Sequence, residues 1–120
     1  MQTYKDLIVW QKSIDFVLEV YKITSIFPPE EKFGLISQMR RCSVSIPSNI
    51  AEGYARKNKK ENAQFVNISF GSATELETQI LISKKLDFIP VSKYSLVDRL
   101  LDEVLRMLYR YRDSLYQSSS

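Results

Sequence analysis

The chain of 120 residues has no histidine. That removes imidazole acid–base chemistry and nearly every zinc or other transition-metal site. Cys42 is the only cysteine, so no disulfide forms within the chain. Only three glycines are present, too few for the turns of an all-β fold. No run is long and apolar enough to span a bilayer. The opening MQTYKDLIVW lacks a signal peptide's pattern. The expected compartment is the cytoplasm, with no membrane contact, no metal and no cofactor. Charge of one sign is also scarce. Lys and Arg exceed Asp and Glu by only 17 to 14. A bias that small permits a polyanion partner without requiring one. The length suits one domain with a hydrophobic core.

What is present is helical periodicity. It predicts four helices, at about 4–26, 29–57, 60–87 and 92–116. Thr3 and Asp6 have the spacing of a capping box at the start of the first. Leu7, Trp10, Ile14, Val17, Tyr21 and Thr24 then form a heptad seam. A second apolar row lies beside it: Val9, Phe16, Val20, Ile23 and Phe27. A bundle helix needs one apolar stripe. The second row, and Val9, Phe16, Val20 and Ile23 in particular, is therefore expected to meet another subunit.

FPPEEKF ends the first helix and starts the second, with proline in the first turn and Glu30 and Glu31 at the positive end of the dipole. The third helix presents Phe65, Ser69, Ser72, Leu76, Ile80 and Ser83 inward. The fourth presents Val97, Leu101, Val104, Leu108, Tyr111 and Leu115. Short connections between long helices imply an all-α, antiparallel up-down-up-down four-helix bundle spanning residues 1–120.

The second helix contains Pro47. Its seam of Leu35, Met39, Cys42, Ile46, Asn49 and Gly53 keeps its period across the proline. One reading is a kinked but continuous helix, at a cost of about 3 kcal/mol for the lost backbone bond. Ser43, Ser45 or Ser48 would then satisfy the freed groups. The other reading is that Pro47 ends one helix and Ser48 caps the next. Small residues face each other on the second and third helices: Cys42, Ser45, Ser48, Ala51, Gly53 and Ala55 against Ser69, Gly71, Ser72 and Ala73. They allow close backbone approach. A polar stripe of Gln38, Arg41, Ser45, Ser48 and Glu52 runs along the second helix. Asn49 lies on the seam and needs a partner such as Glu75 or a serine of the third helix. Without histidine, no general base stands beside a serine, and no catalytic residue is assigned.

FPPEEKFGLISQMRRCSVSIPSNIAEGYARKNKKE resembles the signature of a bacterial four-helix-bundle family that includes the intervening-sequence proteins of 23S rRNA genes. The accessory variability determinant of diversity-generating retroelements is a relative. YKDLIVWQKSIDFVLEVYKIT and GSATELETQI are similar to the same family. Cys42 stands where that family more often has alanine. The resemblance implies a bundle that assembles into a homopentameric ring without enzymatic activity. For the accessory-determinant branch it implies binding to nucleic acid and to a reverse transcriptase. It implies architectural roles for Pro47, Asn49, Glu52 and Gly53.

Two functions follow as expectations. The first is an oligomer that binds RNA or DNA through phosphates, with little sequence preference. Its candidate contacts are Arg56, Lys57, Lys59 and Lys60 at the end of the second helix, with Arg40 and Arg41 further back. Tyr54 is the only aromatic beside that basic run, so there is no stacking platform for bases. The second is a scaffold ring that docks a protein partner such as a reverse transcriptase. The bland alternative for the basic run is a solvated helix junction.

Overall fold

The computed structural model describes residues 2–117. Four helices pack as one bundle: α1 (Ile8–Thr24), α2 (Leu35–Tyr54), α3 (Lys59–Lys85) and α4 (Ser95–Gln117). Short 3-10 turns, Tyr4–Asp6, Pro29–Glu31 and Val91–Tyr94, precede α1, α2 and α4. No strand occurs among the described residues. The bundle is elongated, 47 × 23 × 22 Å. Consecutive helices are neighbours, and α4 closes the square against α1. Contacts between them run in opposite directions. Gly53 meets Asn62 while Cys42 meets Glu75, which makes α2 and α3 antiparallel.

The helix ends are shorter than the periodicity suggests. The capping box is real: Asp6 Oδ2 accepts from Thr3 N–H at 2.9 Å, and Thr3 Oγ1 accepts from Lys5 N–H at 3.1 Å. It caps the 3-10 turn, though. Leu7 is extended and separates that turn from α1. The prolines of FPPEE likewise start a 3-10 turn rather than α2. Phe27 anchors this turn, edge-on to Phe88 with ring centroids 5.3 Å apart. Glu31 reaches forward and accepts from the Leu35 N–H at 3.1 Å, capping α2 from outside.

α2 runs unbroken through Pro47, so the reading with two helices is set aside. The nearby serines do not serve the freed backbone as expected. Ser43 donates to the Arg40 carbonyl at 2.8 Å, and Ser45 pairs with Ser72 at 2.8 Å. From α3 the buried Ser69 hydroxyl donates to the Ile46 carbonyl at 2.8 Å, which ties the two helices together beside the proline.

One expectation is overturned. Val9, Phe16, Val20 and Ile23 do not form an outer surface; they lie in the subunit's own core, Phe16 and Val20 with 0% exposure. The inward stripe of α1 is Val9, Ser13, Phe16, Val20, Ile23 and Thr24, and the buried Phe27 continues it past the helix end. Ser13 can be buried because its hydroxyl donates to the Trp10 carbonyl at 2.7 Å. The other row is the outer one. Trp10, Ile14 and Val17 are half-buried, and Tyr21 is exposed. With Tyr4, Val44, Pro47, Ser48 and Ala51, the first three line an apolar groove of about 360 Å³ between α1 and α2.

Candidate nucleic-acid interface

The α2–α3 junction is built for close approach. Gly53 is buried at the end of α2. A Cβ there would lie 2.6 Å from Asn62 Oδ1, 2.9 Å from the Phe65 Cβ and 3.0 Å from the Asn62 carbonyl. Only glycine lets α2 cross α3 at this distance. After Ala55 the chain bends through Arg56–Asn58. Asn58 then caps α3, its Oδ1 accepting from the Glu61 N–H at 2.8 Å. Asn62 Nδ2 donates to the Tyr111 hydroxyl at 3.1 Å, which fixes the start of α3 against the end of α4. Burial pushes the Tyr111 hydroxyl pKa up, while the Asn62 bond works the other way.

This junction presents Arg56, Lys57, Lys59 and Lys60 together, all exposed. None forms an ion pair among the described residues. The Arg56 guanidinium lies over the Phe65 ring at 4.5 Å, which orients it without neutralising it. Lys59 and Lys60 occupy the first turn of α3, where Glu61 is the only acid. Cations are unfavourable at that positive helix end. An anion placed there would relieve them and meet the first N–H groups of α3.

The two back-of-helix arginines separate. Arg40 is a clip: its Nε donates to Thr24 Oγ1 at 2.9 Å, its Nη2 reaches the Tyr21 carbonyl at 3.4 Å, and it stacks 4.6 Å from the Tyr21 ring. It closes the C-terminus of α1 and lies about 24 Å along the helix from Arg56. The structure does not bring it to the junction. Arg41 is exposed and lines a polar groove between α2 and α3 with Gln38, Cys42, Ser45, Ser72, Glu75 and Gln79.

Asn49 finds its partner on its own helix. Its Nδ2 donates to the Ser45 carbonyl at 2.8 Å and to Ser45 Oγ at 3.1 Å, and Ser45 passes the link to Ser72. Glu52 is exposed and makes no ion pair among the described residues. Cys42 donates to the Ser72 carbonyl and to Glu75 Oε2, both at 3.0 Å. Burial first, then the Glu75 hydrogen bond and charge, push its thiol up to about 12. A thiol so held is not a nucleophile near neutral pH. Gln79 was not among the sequence candidates. Its signal was position: it lies four residues beyond Glu75 and seven beyond Ser72, on one helix face.

No group of three or more His, Cys, Asp or Glu side chains suited to a metal occurs among the described residues. Among the described residues, no helix is long and apolar enough to cross a membrane. No curated protein matches the chain. A protein of unknown function from the S23 ribosomal protein family of Bacteroides thetaiotaomicron has a similar crystal structure, with a TM-score of 0.80 at 21% identity. The match covers 88% of this chain and 96% of that one. At that identity the likeness shows the four-helix fold alone. The sequence pattern of the 23S rRNA-intervening sequence proteins matches residues 5–110. The chain belongs to the 23S rRNA-intervening sequence protein family.

Proposed function

We propose that this protein is a non-enzymatic, oligomeric nucleic-acid-binding protein whose contacts are led by phosphate. The observation that carries this is the junction of α2 and α3: four exposed cations with no ion pair among the described residues, two of them in the first turn of a helix. Such a cluster neutralises phosphates and releases counterions, which favours RNA and DNA alike. Assembly into a ring, five copies in the form the family resemblance implies, repeats the cluster around one rim. Weak contacts then add by multivalency.

The surface for assembly is the outer row of α1, Trp10, Ile14 and Val17, with Val44 and Pro47 of α2. A second apolar surface, at Phe70, Leu105 and Tyr109, lies between α3 and α4. Two non-equivalent patches on one subunit suit head-to-tail contacts, which close into rings. The same grooves favour a second reading, a scaffold that docks a protein partner such as a reverse transcriptase.

The test is binding of labelled DNA and RNA at low salt by the parent and by a variant with Arg56, Lys57, Lys59 and Lys60 replaced by glutamine. The expected result is loss of binding with helix content and assembly intact. Equal binding by both proteins would remove the junction from the contact surface. A parent that binds neither polymer at low salt would favour the scaffold.

A further inference from the structure

We infer that the polar groove between α2 and α3 is a binding site for a guanine base. The groove, about 480 Å³, is within the size range of small-ligand sites. Its walls carry opposite charges that do not pair. Arg41 on α2 and Glu75 on α3 both line it, and neither forms an ion pair among the described residues. Arg41 makes only a long bond to Ser37 Oγ, 3.4 Å. Glu75 accepts one weak donor, the Cys42 thiol.

Gln79 stands beside them. It is 7% exposed, and its Oε1 is buried with no hydrogen-bond partner. An orphaned buried acceptor is costly and gains from any donor it reaches. Gln79 lines the groove one helical turn beyond Glu75 on the same face of α3, so an acceptor from each stands on that wall.

Two neighbouring acceptors on one wall and a guanidinium on the other select among the bases. Guanine offers N1–H and the N2 amine side by side, and its O6 and N7 acceptors adjoin them. Arginine pairs with O6 and N7 in a fork. Adenine and cytosine each offer a single amine on that edge, and uracil a single N–H. Only guanine supplies adjacent donors for Glu75 and Gln79 together with adjacent acceptors for Arg41. The groove's α2 residues, Gln38 to Ser45, lie about 16–27 Å along the helix from Arg56, so a strand held at the junction by its phosphates reaches the groove only across several nucleotides. The strand rests on the nucleic-acid reading above; the base does not.

The experiment uses single-stranded RNA of roughly eight nucleotides: uridine throughout, the same with one central guanosine, and the same with inosine, which lacks the N2 amine. The guanosine strand is expected to bind about tenfold tighter than the uridine strand, with inosine between them. Glu75→Gln and Gln79→Leu are each expected to reduce guanosine to the uridine level and leave uridine binding unchanged. Equal affinity for the guanosine and uridine strands, or a preference that survives both variants, overturns the site. Guanosine monophosphate alone separates this claim from the strand. It is expected to shift the side-chain amide resonances of Gln79 and Gln38, where uridine monophosphate does not. If no strand binds yet guanosine monophosphate shifts Gln79, the site stands and the polymer reading falls. If guanosine monophosphate shifts neither amide, the site is overturned.

Discussion

At the scale of single residues, Gly53 and Cys42 set the sharpest expectations. Gly53→Ala inserts a methyl where three atoms of α3 stand within 3.0 Å. Overpacking of this kind costs about 1–3 kcal/mol. Urea unfolding should show that loss, and a neutral result would mean that the helices part without cost. Cys42 makes an alkaline prediction. Its folded pKa, about 12, lies above the ordinary thiol value of 9.0. The folded state therefore keeps a proton that the unfolded chain releases. The stability this confers is complete below about pH 9 and is lost as pH rises toward 12. Burial raises Tyr94 and Tyr111 too, so they act in the same direction. Cys42→Ala should flatten part of the decline measured by chemical unfolding between pH 9 and pH 11. An unchanged profile would contradict the buried, neutral thiol. Little of this residue detail was legible beforehand. The position of Asn49 on the seam implies a partner, but the Ser45–Ser72 relay that serves it depends on how close α2 and α3 come.

At the scale of elements, much of the architecture was legible. The four periodic segments correspond to α1–α4, and the α4 stripe of Val97, Leu101, Val104, Leu108 and Leu115 is buried as its spacing implies, with Tyr111 of the same stripe half-buried. The failure was on α1, where two apolar rows compete. The true core stripe contains a serine, and periodicity penalises a polar residue. Burial was allowed by a local bond from Ser13 to the Trp10 carbonyl, which is invisible to a pattern of apolar residues. The helix starts differ from the apolar spacing because Leu7 and Gly34 break the helix locally while that spacing continues. Two substitutions test the element account. Pro47→Ala restores an N–H facing the Ser43 carbonyl inside a continuous helix. It should be tolerated, or stabilise by up to about 3 kcal/mol. Marked destabilisation in thermal unfolding would show that the ring of Pro47 supplies packing that outweighs the lost bond. Asp87 ends α3 with φ +56°, the left-handed conformation that glycine adopts without strain. Asp87→Gly removes a left-handed strain of about 1–2 kcal/mol and adds a glycine entropy cost of about 0.5–1 kcal/mol, so a small net gain in stability is expected, and a loss would mean that the aspartate side chain supports the turn.

At the scale of the whole molecule, the corrected orientation of α1 changes how assembly is tested. A charge at Phe16 or Val20 would unfold the subunit before it could report on an interface, because both are fully buried within it. Ile14→Glu and Val17→Glu act on the half-buried outer row instead. They should lower the mass seen by multi-angle light scattering while helix content persists. A parent that is a stable monomer at micromolar concentration would end the oligomer proposal. The central claim is that the α2–α3 junction binds phosphate, and its direct measurement is the salt dependence of duplex DNA binding. Each phosphate neutralised contributes a log–log slope of about −0.9, so one subunit's four cations fully engaged give about −3.6. The parent is expected to show a slope at least that steep, and a much flatter one is expected after glutamine replaces Arg56, Lys57, Lys59 and Lys60. A parent slope near zero, or a variant slope equal to the parent's, would contradict it.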